Sequence, residues 1–502
     1  MSDVMHLAEP ALTKIIATLG PATSDADTIT KLIEAGASIF RMNFSHGRLD
    51  DHEARLEAIR EAVRRTGIPV AVLGDLPGPK IRVGDVVDSG VMVEAGSRVI
   101  FQRDPLVADG NSTPARFAAR YPRLVDDVQV GQRLLVNDGH VRMLIMEKHD
   151  DEIHCRVTTG GCITTGKGIN LPDTDLSIPS MGDRDWECVR WAIEHDLDYL
   201  ALSFVRRATD VAELRRGIER LAAEQDLPDH HLPVIAKIEV PPALANIEGI
   251  LNEADGIMVA RGDLGVEMDL AQVPIIQREL IAAARYHAKP CIVATQMLES
   301  MIEEPSPTRA EATDVAGAIF DGVDAVMMSG ETAVGRFPVV AVEYMRRIAR
   351  ATEEHLREAR TEYDLPAKPL ESRYRTAVLA HGVSVIARDL DARFIVVWSQ
   401  EGGGARFLSQ YDFHINIIAA SDSERALRRM QLMRGVTPVR MPRPADVAEF
   451  TERIDAHLLS TGWAREGDPC VLVAGGRIGE RGATNSLAIH AVGDPTTGFR
   501  LH

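Results

Sequence analysis

Lys237 and Glu239 stand two residues apart at the end of an apolar run, Pro233–Glu239. In an extended chain, side chains two apart share a face, so an ammonium and a carboxylate point the same way. The next apolar run ends in Arg261-Gly262-Asp263 and supplies a second carboxylate. Glu239 and Asp263, two hard carboxylates from neighbouring segments with room for water, suit Mg²⁺. Beside such an ion, the Lys237 ammonium can stabilise charge on a transferring phosphoryl group or on an enolate. Arg41 and Arg82 offer fork-shaped donors for phosphate oxygens. Gly262 lets backbone N–H groups approach a small anion. The sum is Mg²⁺, phosphate and a small enolisable acid. The sequence contains no Walker motif and no kinase glycine-rich loop, so any nucleotide is held in another way.

These residues need a frame. Short apolar runs alternate with amphipathic stretches: strands at Thr13–Leu19, Ser38–Phe44, Pro69–Asp75, Tyr199–Ser203, Pro233–Glu239, Gly256–Ala260, Pro290–Thr295 and Ala325–Ser329, each followed by a helical pattern. Eight strand–helix units in roughly 260 residues match a TIM (β/α)8 barrel better than an open doubly wound sheet. Such a barrel keeps its active site at the C-terminal ends of its strands. The ends read Arg41-Met42-Asn43-Phe44-Ser45-His46, Asp75, Ser203-Phe204, Lys237-Ile238-Glu239, Arg261-Gly262-Asp263, Thr295-Gln296 and Ser329-Gly330-Glu331. A lone lysine at a strand end is usually solvated, and a lone Arg-Gly-Asp is usually a turn. Seven polar ends around one ring argue for a site.

The rhythm breaks between strands three and four, where residues 83–176 become Val, Thr and Gly in short alternating runs, an antiparallel all-β insert. Residues 1–82 and 177–355 form the barrel. After a proline-containing linker at Tyr363–Pro369, residues 356–502 form a third, open α/β domain with four predicted strands.

Composition excludes other classes. The chain has 502 residues, 45% hydrophobic and 26% charged, which excludes wholesale disorder. Its net charge of −18, without a basic run, argues against nucleic acid. No apolar run is long enough for a membrane span, and Met1–Pro10 lacks a signal pattern. The five cysteines form no Cys-x-x-Cys pair. The expectation is a cytoplasmic multidomain protein.

The segments TKIIATLGPAT, FRMNFSHG, LGDLPGPKIRVG, KGINLP, IAKIEV, DGIMVARGDLGVE and ATQMLESMIEEPSPTRAEATDVAGAIFDGVDAVMMSGETAVG closely resemble the pyruvate kinases. The likeness runs from about Thr13 to His355, and the family's domain order also matches. The resemblance implies phosphoryl transfer from phosphoenolpyruvate to ADP, giving pyruvate and ATP, usually in a homotetramer. It implies that Glu239 and Asp263 hold Mg²⁺, with Mn²⁺ as an alternative, and that Lys237, Arg41 and Arg82 serve the phosphoryl group. Gly262, Asp263 and Thr295 would line the substrate. Thr295 and Ser329, supported by Glu331, would lie where the enolate is protonated. His46, Lys167, Asp138 and Asn43 would serve the nucleotide.

Two departures stand out. Potassium-dependent members carry a Glu where this chain has Lys80, so Lys80 is expected to replace the monovalent cation, although Asn43, Ser45 and Asp75 keep the outline of that site. In the third domain, Ser399, Gly402, Gly403, Arg406, Arg477 and Arg481 outline a pocket for a phosphorylated effector. Glu401 argues against fructose 1,6-bisphosphate and leaves a monophosphate, AMP or no effector. Two other classes stay open on the residues alone: a Mg²⁺ lyase or aldolase acting on a pyruvate enolate, and a silent metabolite sensor. Lys237 and Lys167 argue against the first, and the intact rim against the second.

Overall fold

The computed structural model describes residues 10–227, 230–359, 375–411, 414–475, 478 and 484–499. Eight parallel strands close a barrel: Lys14–Thr18, Ile39–Asn43, Ala71–Asp75, Tyr199–Leu202, Val234–Ile238, Gly256–Ala260, Cys291–Ala294 and Ala325–Met328. The runs form strands because both faces are buried, inward against the barrel interior and outward against the helices. Ile16, Ile39, Leu73, Ile235, Met258 and Ile292 fill the interior, and Leu432 of the third domain packs into the same cluster. The helix Arg309–Phe320 starts where the sequence signals it, with Thr308 and Glu311 making a reciprocal capping box.

The helical pattern after the fifth strand, read from sequence over Pro242–Glu253, forms two helices, Pro241–Ala245 and Ile247–Glu253. Asn246 interrupts it. Its amide donates to the carbonyls of Pro242 and Arg206 at 2.9 and 3.1 Å, a side-chain alternative to continuing the helix.

The insert between strands three and four is all-β but for the single turn Leu124–Asp127, and it is not purely antiparallel. Arg98–Gln102 pairs in parallel with Ala115–Ala118, and Asp85–Val86 in parallel with Val107–Ala108. Its core, with Phe101, Phe117, Leu134 and Ile145, is separate from the barrel's.

Among the described residues, the third domain has five strands, in the order Val436–Arg440, Asn416–Ser421, Phe394–Trp398, Pro469–Gly475, Thr484–Ala491. The first four are parallel. The fifth, not foreseen from sequence, is an antiparallel edge strand with mostly half-exposed residues, so it lacks the apolar run that marks the others. This domain sits against the N-terminal ends of the barrel strands. There Lys14 Nζ donates to Val436 O at 2.6 Å, Tyr199 Oη to Arg429 O at 2.6 Å, and Arg428 pairs with Asp198 at 2.8 Å. The opposite rim is left to the insert. The linker Tyr363–Pro369 lies outside the described residues. Among the described residues, no helix is long and apolar enough to cross a membrane.

Candidate active site

The C-terminal rim of the barrel carries a buried network of charges. Lys237, at the end of the fifth strand, places Nζ 2.9 Å from Glu239 Oε1 and 3.2 Å from Asp75 Oδ1, and donates to Ser203 Oγ at 2.8 Å. Asp75, at the end of the third strand, takes Arg41 Nε on its other oxygen at 2.7 Å. Arg41 also donates to Thr18 Oγ1 at 3.2 Å. Five successive strand ends are thereby tied together. The period of two that put Lys237 and Glu239 on one face is what makes the network possible.

Burial works against charge on Lys237, but Asp75 and Glu239 outweigh it and push the ammonium up to about 12, so it stays protonated. Burial likewise opposes charge on Asp75, and the two cations beside it hold its carboxyl below the usual range. Glu239 differs. Burial drives it upward, Lys237 pulls it down, and the negative charge of Asp263 pushes it up again, with a net rise. A buried carboxylate repelled by a second one is the donor set that a divalent cation relieves, so Glu239 and Asp263 fit a hard metal ion. Phe204 N donates to the other oxygen of Glu239 at 2.7 Å and fixes its orientation.

Thr295 ends the seventh strand with φ 71°, followed by Gln296 at 54°. A β-branched residue rarely adopts this left-handed conformation. The buried Arg261 holds it there, donating to Thr295 O at 2.7 Å and Gln296 O at 3.3 Å. Thr295 Oγ1 accepts from Gly262 N at 2.8 Å. That bond alters one expectation: the Gly262 N–H is engaged within the protein, and the glycine positions Thr295 beside Asp263. Glu331 is buried and accepts from Ser329 N at 2.7 Å and Leu298 N at 3.0 Å. It braces the loops after strands seven and eight.

Other residues named from sequence lie apart from this network. Arg82 is exposed at the root of the insert, where Nη1 donates to Gly166 O at 2.9 Å and its backbone bridges Gly168, next to the exposed Lys167. Lys80 points toward the insert as well, 3.7 Å from Asp138 Oδ1. Asn43 caps its own turn by accepting from Ser45 N at 3.1 Å, and Ser45 and His46 are exposed beside it. In the third domain, Ser399 Oγ accepts from Ala405 N at 3.3 Å, and Gly402, at φ 83°, starts the short helix Gly403–Ser409. Arg406 lies within electrostatic range of Tyr199 and Lys289 on the barrel. Arg477 and Arg481 lie outside the described residues.

Sequence reasoning missed a buried contact between the insert and the barrel. Asn170 Nδ2 donates to Glu267 Oε1 at 2.7 Å, and burial pushes the Glu267 carboxyl up to about 7. The only signal was Glu267 closing the segment DLGVE that begins at Asp263. Ser203 and Thr18 gave none beyond their places at strand ends.

The comparisons with known proteins agree with this geometry. Residues 11–342 match the family model of the pyruvate kinase barrel domain, and residues 377–490 that of the pyruvate kinase alpha/beta domain. The chain belongs to the pyruvate kinase family. It is therefore a phosphotransferase. A pyruvate kinase of Corynebacterium glutamicum is 39% identical over 484 residues, covering 96% of this chain and 98% of that protein. One of Geobacillus stearothermophilus is 40% identical over 487 residues, covering 96% and 80%. A crystal structure of a pyruvate kinase from Cryptosporidium parvum superposes with a TM-score of 0.88 at 30% identity, covering 98% of each chain.

Proposed function

We propose that the chain transfers the phosphoryl group of phosphoenolpyruvate to ADP, using Mg²⁺ and no K⁺. The observation that carries this is the Lys237 ammonium, fixed by Asp75 and Glu239 with Asp263 alongside. Glu239 and Asp263 would hold the Mg²⁺, which supplies a Lewis acid for the substrate's carboxylate and phosphoryl oxygens. Arg41, anchored through Nε to Asp75 and through Nη1 to Thr18, turns its Nη2 to phosphoryl oxygens. Lys237 stabilises the charge that collects first on the transferring group and then on the enolate oxygen. Thr295 and Ser329 border the face on which the enolate carbon takes its proton, and Glu331 positions Ser329. Arg82, His46, Lys167, Asp138 and Asn43 serve the phosphates and nucleotide when the insert, residues 83–176, closes on the rim and excludes water.

The K⁺ reading rests on Lys80, whose exposed ammonium lies 3.7 Å from Asp138 Oδ1 at the root of the insert, at the position where the resemblance places a carboxylate in potassium-dependent members. Pyruvate formation from phosphoenolpyruvate should require both ADP and Mg²⁺, and should run at full rate with tetramethylammonium as the only monovalent cation. ADP-independent pyruvate release would sink the transfer reading; strict K⁺ dependence would sink the Lys80 reading alone. A homotetramer is part of the same proposal, and sedimentation velocity tests it. An effector bound around Ser399, Gly402, Gly403 and Arg406 is tested by titrating AMP and sugar monophosphates against phosphoenolpyruvate saturation curves.

A further inference from the structure

The inserted domain carries a cluster that the phosphotransfer site does not use. Its longest hairpin pairs Val141–Lys148 with Glu152–Thr159. A register shift between Ile145 and Glu147 sets Glu147 directly opposite His154. Bulges of this kind re-aim side chains. His149, two residues beyond Glu147, falls on the same face, and its N–H closes the turn onto Glu152 O at 2.8 Å. One oxygen of Glu147 consequently stands 3.5 Å from His149 Nε2 and 3.5 Å from His154 Nδ1. The ligand atoms of all three residues lie within 4.8 Å of one another.

The tautomer of His154 gives the cluster its chemistry. Its Nε2 lies 2.7 Å from Glu152 Oε1. Glu152 also pairs with Arg116 Nη1 at 2.7 Å. An ionised carboxylate only accepts, so Nε2 carries the hydrogen. In the neutral ring Nδ1 then presents a lone pair to the Glu147 carboxylate, as does His149 Nε2 in its matching tautomer. With both rings neutral, the three groups face one another as acceptors, an arrangement that a cation between them satisfies. Tetrahedral ligands at metal bonds of about 2.0–2.2 Å sit about 3.3–3.6 Å apart, a range that includes the 3.5 Å of the two glutamate–histidine pairs. A histidine ligand whose other nitrogen donates to a carboxylate is the usual outer arrangement of a metal site.

We propose that Glu147, His149 and His154 form a binding site for a borderline divalent transition-metal ion, Zn²⁺ or Cu²⁺, oriented by Glu152 and separate from the phosphotransfer centre. The imidazole pair sets its selectivity, because Mg²⁺ prefers all-oxygen ligands. Such an ion would clamp the hairpin turn with one coordination position left to water.

The test uses the untagged full chain with Mg²⁺ in excess, so that the Glu239–Asp263 pair is occupied. One equivalent of Cu²⁺ should give an electron paramagnetic resonance spectrum with hyperfine splitting from two imidazole nitrogens. His149→Ala and His154→Ala should each reduce that to one. Zn²⁺, titrated against a chromophoric chelator, should bind once per chain, and Glu152→Gln should weaken it about tenfold or more. Pyruvate formation should be unchanged in all three variants. An oxygen-only copper spectrum would overturn the proposal, as would equal Zn²⁺ uptake by the His149→Ala/His154→Ala double variant. Absence of Zn²⁺ uptake would overturn it too and leave the cluster as an ion pair of protonated rings.

Discussion

Both ends of the barrel bury charged groups, and the fold holds Lys237 and Asp75 at one end differently from Lys14, Asp198 and Asp324 at the other. At the C-terminal rim, Lys237 is pushed up to about 12 and Asp75 is held below its ordinary range. At the N-terminal end, Lys14 is pushed down to about 8, and Asp198 and Asp324 are each pushed up to about 6. Burial is the largest single influence on all five groups. What differs is how much opposite charge stands against it. Asp75 has two cations within 3.2 Å, and Lys237 two carboxylates. Asp198 has Arg428 at 2.8 Å, and that arginine is shared with Asp196. At the rim Lys237 and Asp75 keep their charges at neutral pH, as electrostatic stabilisation of a reacting group requires. Glu239, pushed up by burial and by Asp263, is the exception that a metal ion would relieve. The other end uses its polar groups to seat a domain and gains little from their being charged.

The largest expected effect is on Lys237. Lys237→Met removes the cation that Asp75 and Glu239 share and should lower turnover by about 10²–10³-fold or more, on the scale of losing a preorganised donor. Near-normal turnover would remove Lys237 from the chemistry. Because the change leaves two buried carboxylates each short of a cation, thermal stability should fall as well. Measuring melting temperature beside turnover separates the two effects.

Asp75→Asn comes next. It strands Arg41 and Lys237, and breaking a buried pair from one side costs about 3–5 kcal/mol. The folded pKa of Asp75 lies below its ordinary 3.8. Its contribution is therefore present above that value and lost as pH falls through the folded one. Denaturation midpoints of wild type and variant should differ at neutral pH and draw together in acid. The apparent KM for phosphoenolpyruvate should rise as Arg41 loses its anchor. Equal midpoints at pH 7 would mean that the rim does not favour its charges.

Much of this end was legible beforehand, because a barrel converts a one-dimensional pattern into a ring. Each buried strand is a short apolar run, and the polar residues ending the runs must meet at one rim. Lys237, Glu239 and Asp75 could be placed by period two alone. Arg82 could not: it belongs to the joint between two domains, and its course is set by a bridge to Gly168, 86 residues away in sequence. The parallel pairings of the insert join strands as short as the two residues Asp85–Val86, too short to carry a pattern. The Asn170–Glu267 contact likewise exists only once two domains meet. The edge strand Thr484–Ala491 has one covered face and half-exposed polar positions, so its period is weak.

The smallest effect is the most informative about the comparison. Asp198→Asn makes at the seated end the same chemical change that Asp75→Asn makes at the rim. Val72 N donates to Asp198 Oδ2 at 2.9 Å, a bond an asparagine oxygen can keep, and Arg428 retains Asp196. The cost at pH 7 should be about 1 kcal/mol or less, with turnover unchanged. The sign of the pH dependence reverses. Asp198 rises from 3.8 to about 6 on folding, so within that window the folded chain holds a proton that the unfolded chain has released. Its contribution to stability falls as pH rises from about 4 to 6, where that of Asp75 has already been gained. Replacing Asp198 removes this component, so the variant should lose less stability than wild type across that window, with Asp324 supplying the remaining slope. A large loss at pH 7, or an unchanged slope, would show that Arg428 holds Asp198 as firmly as Arg41 and Lys237 hold Asp75, and the contrast between the two ends would collapse.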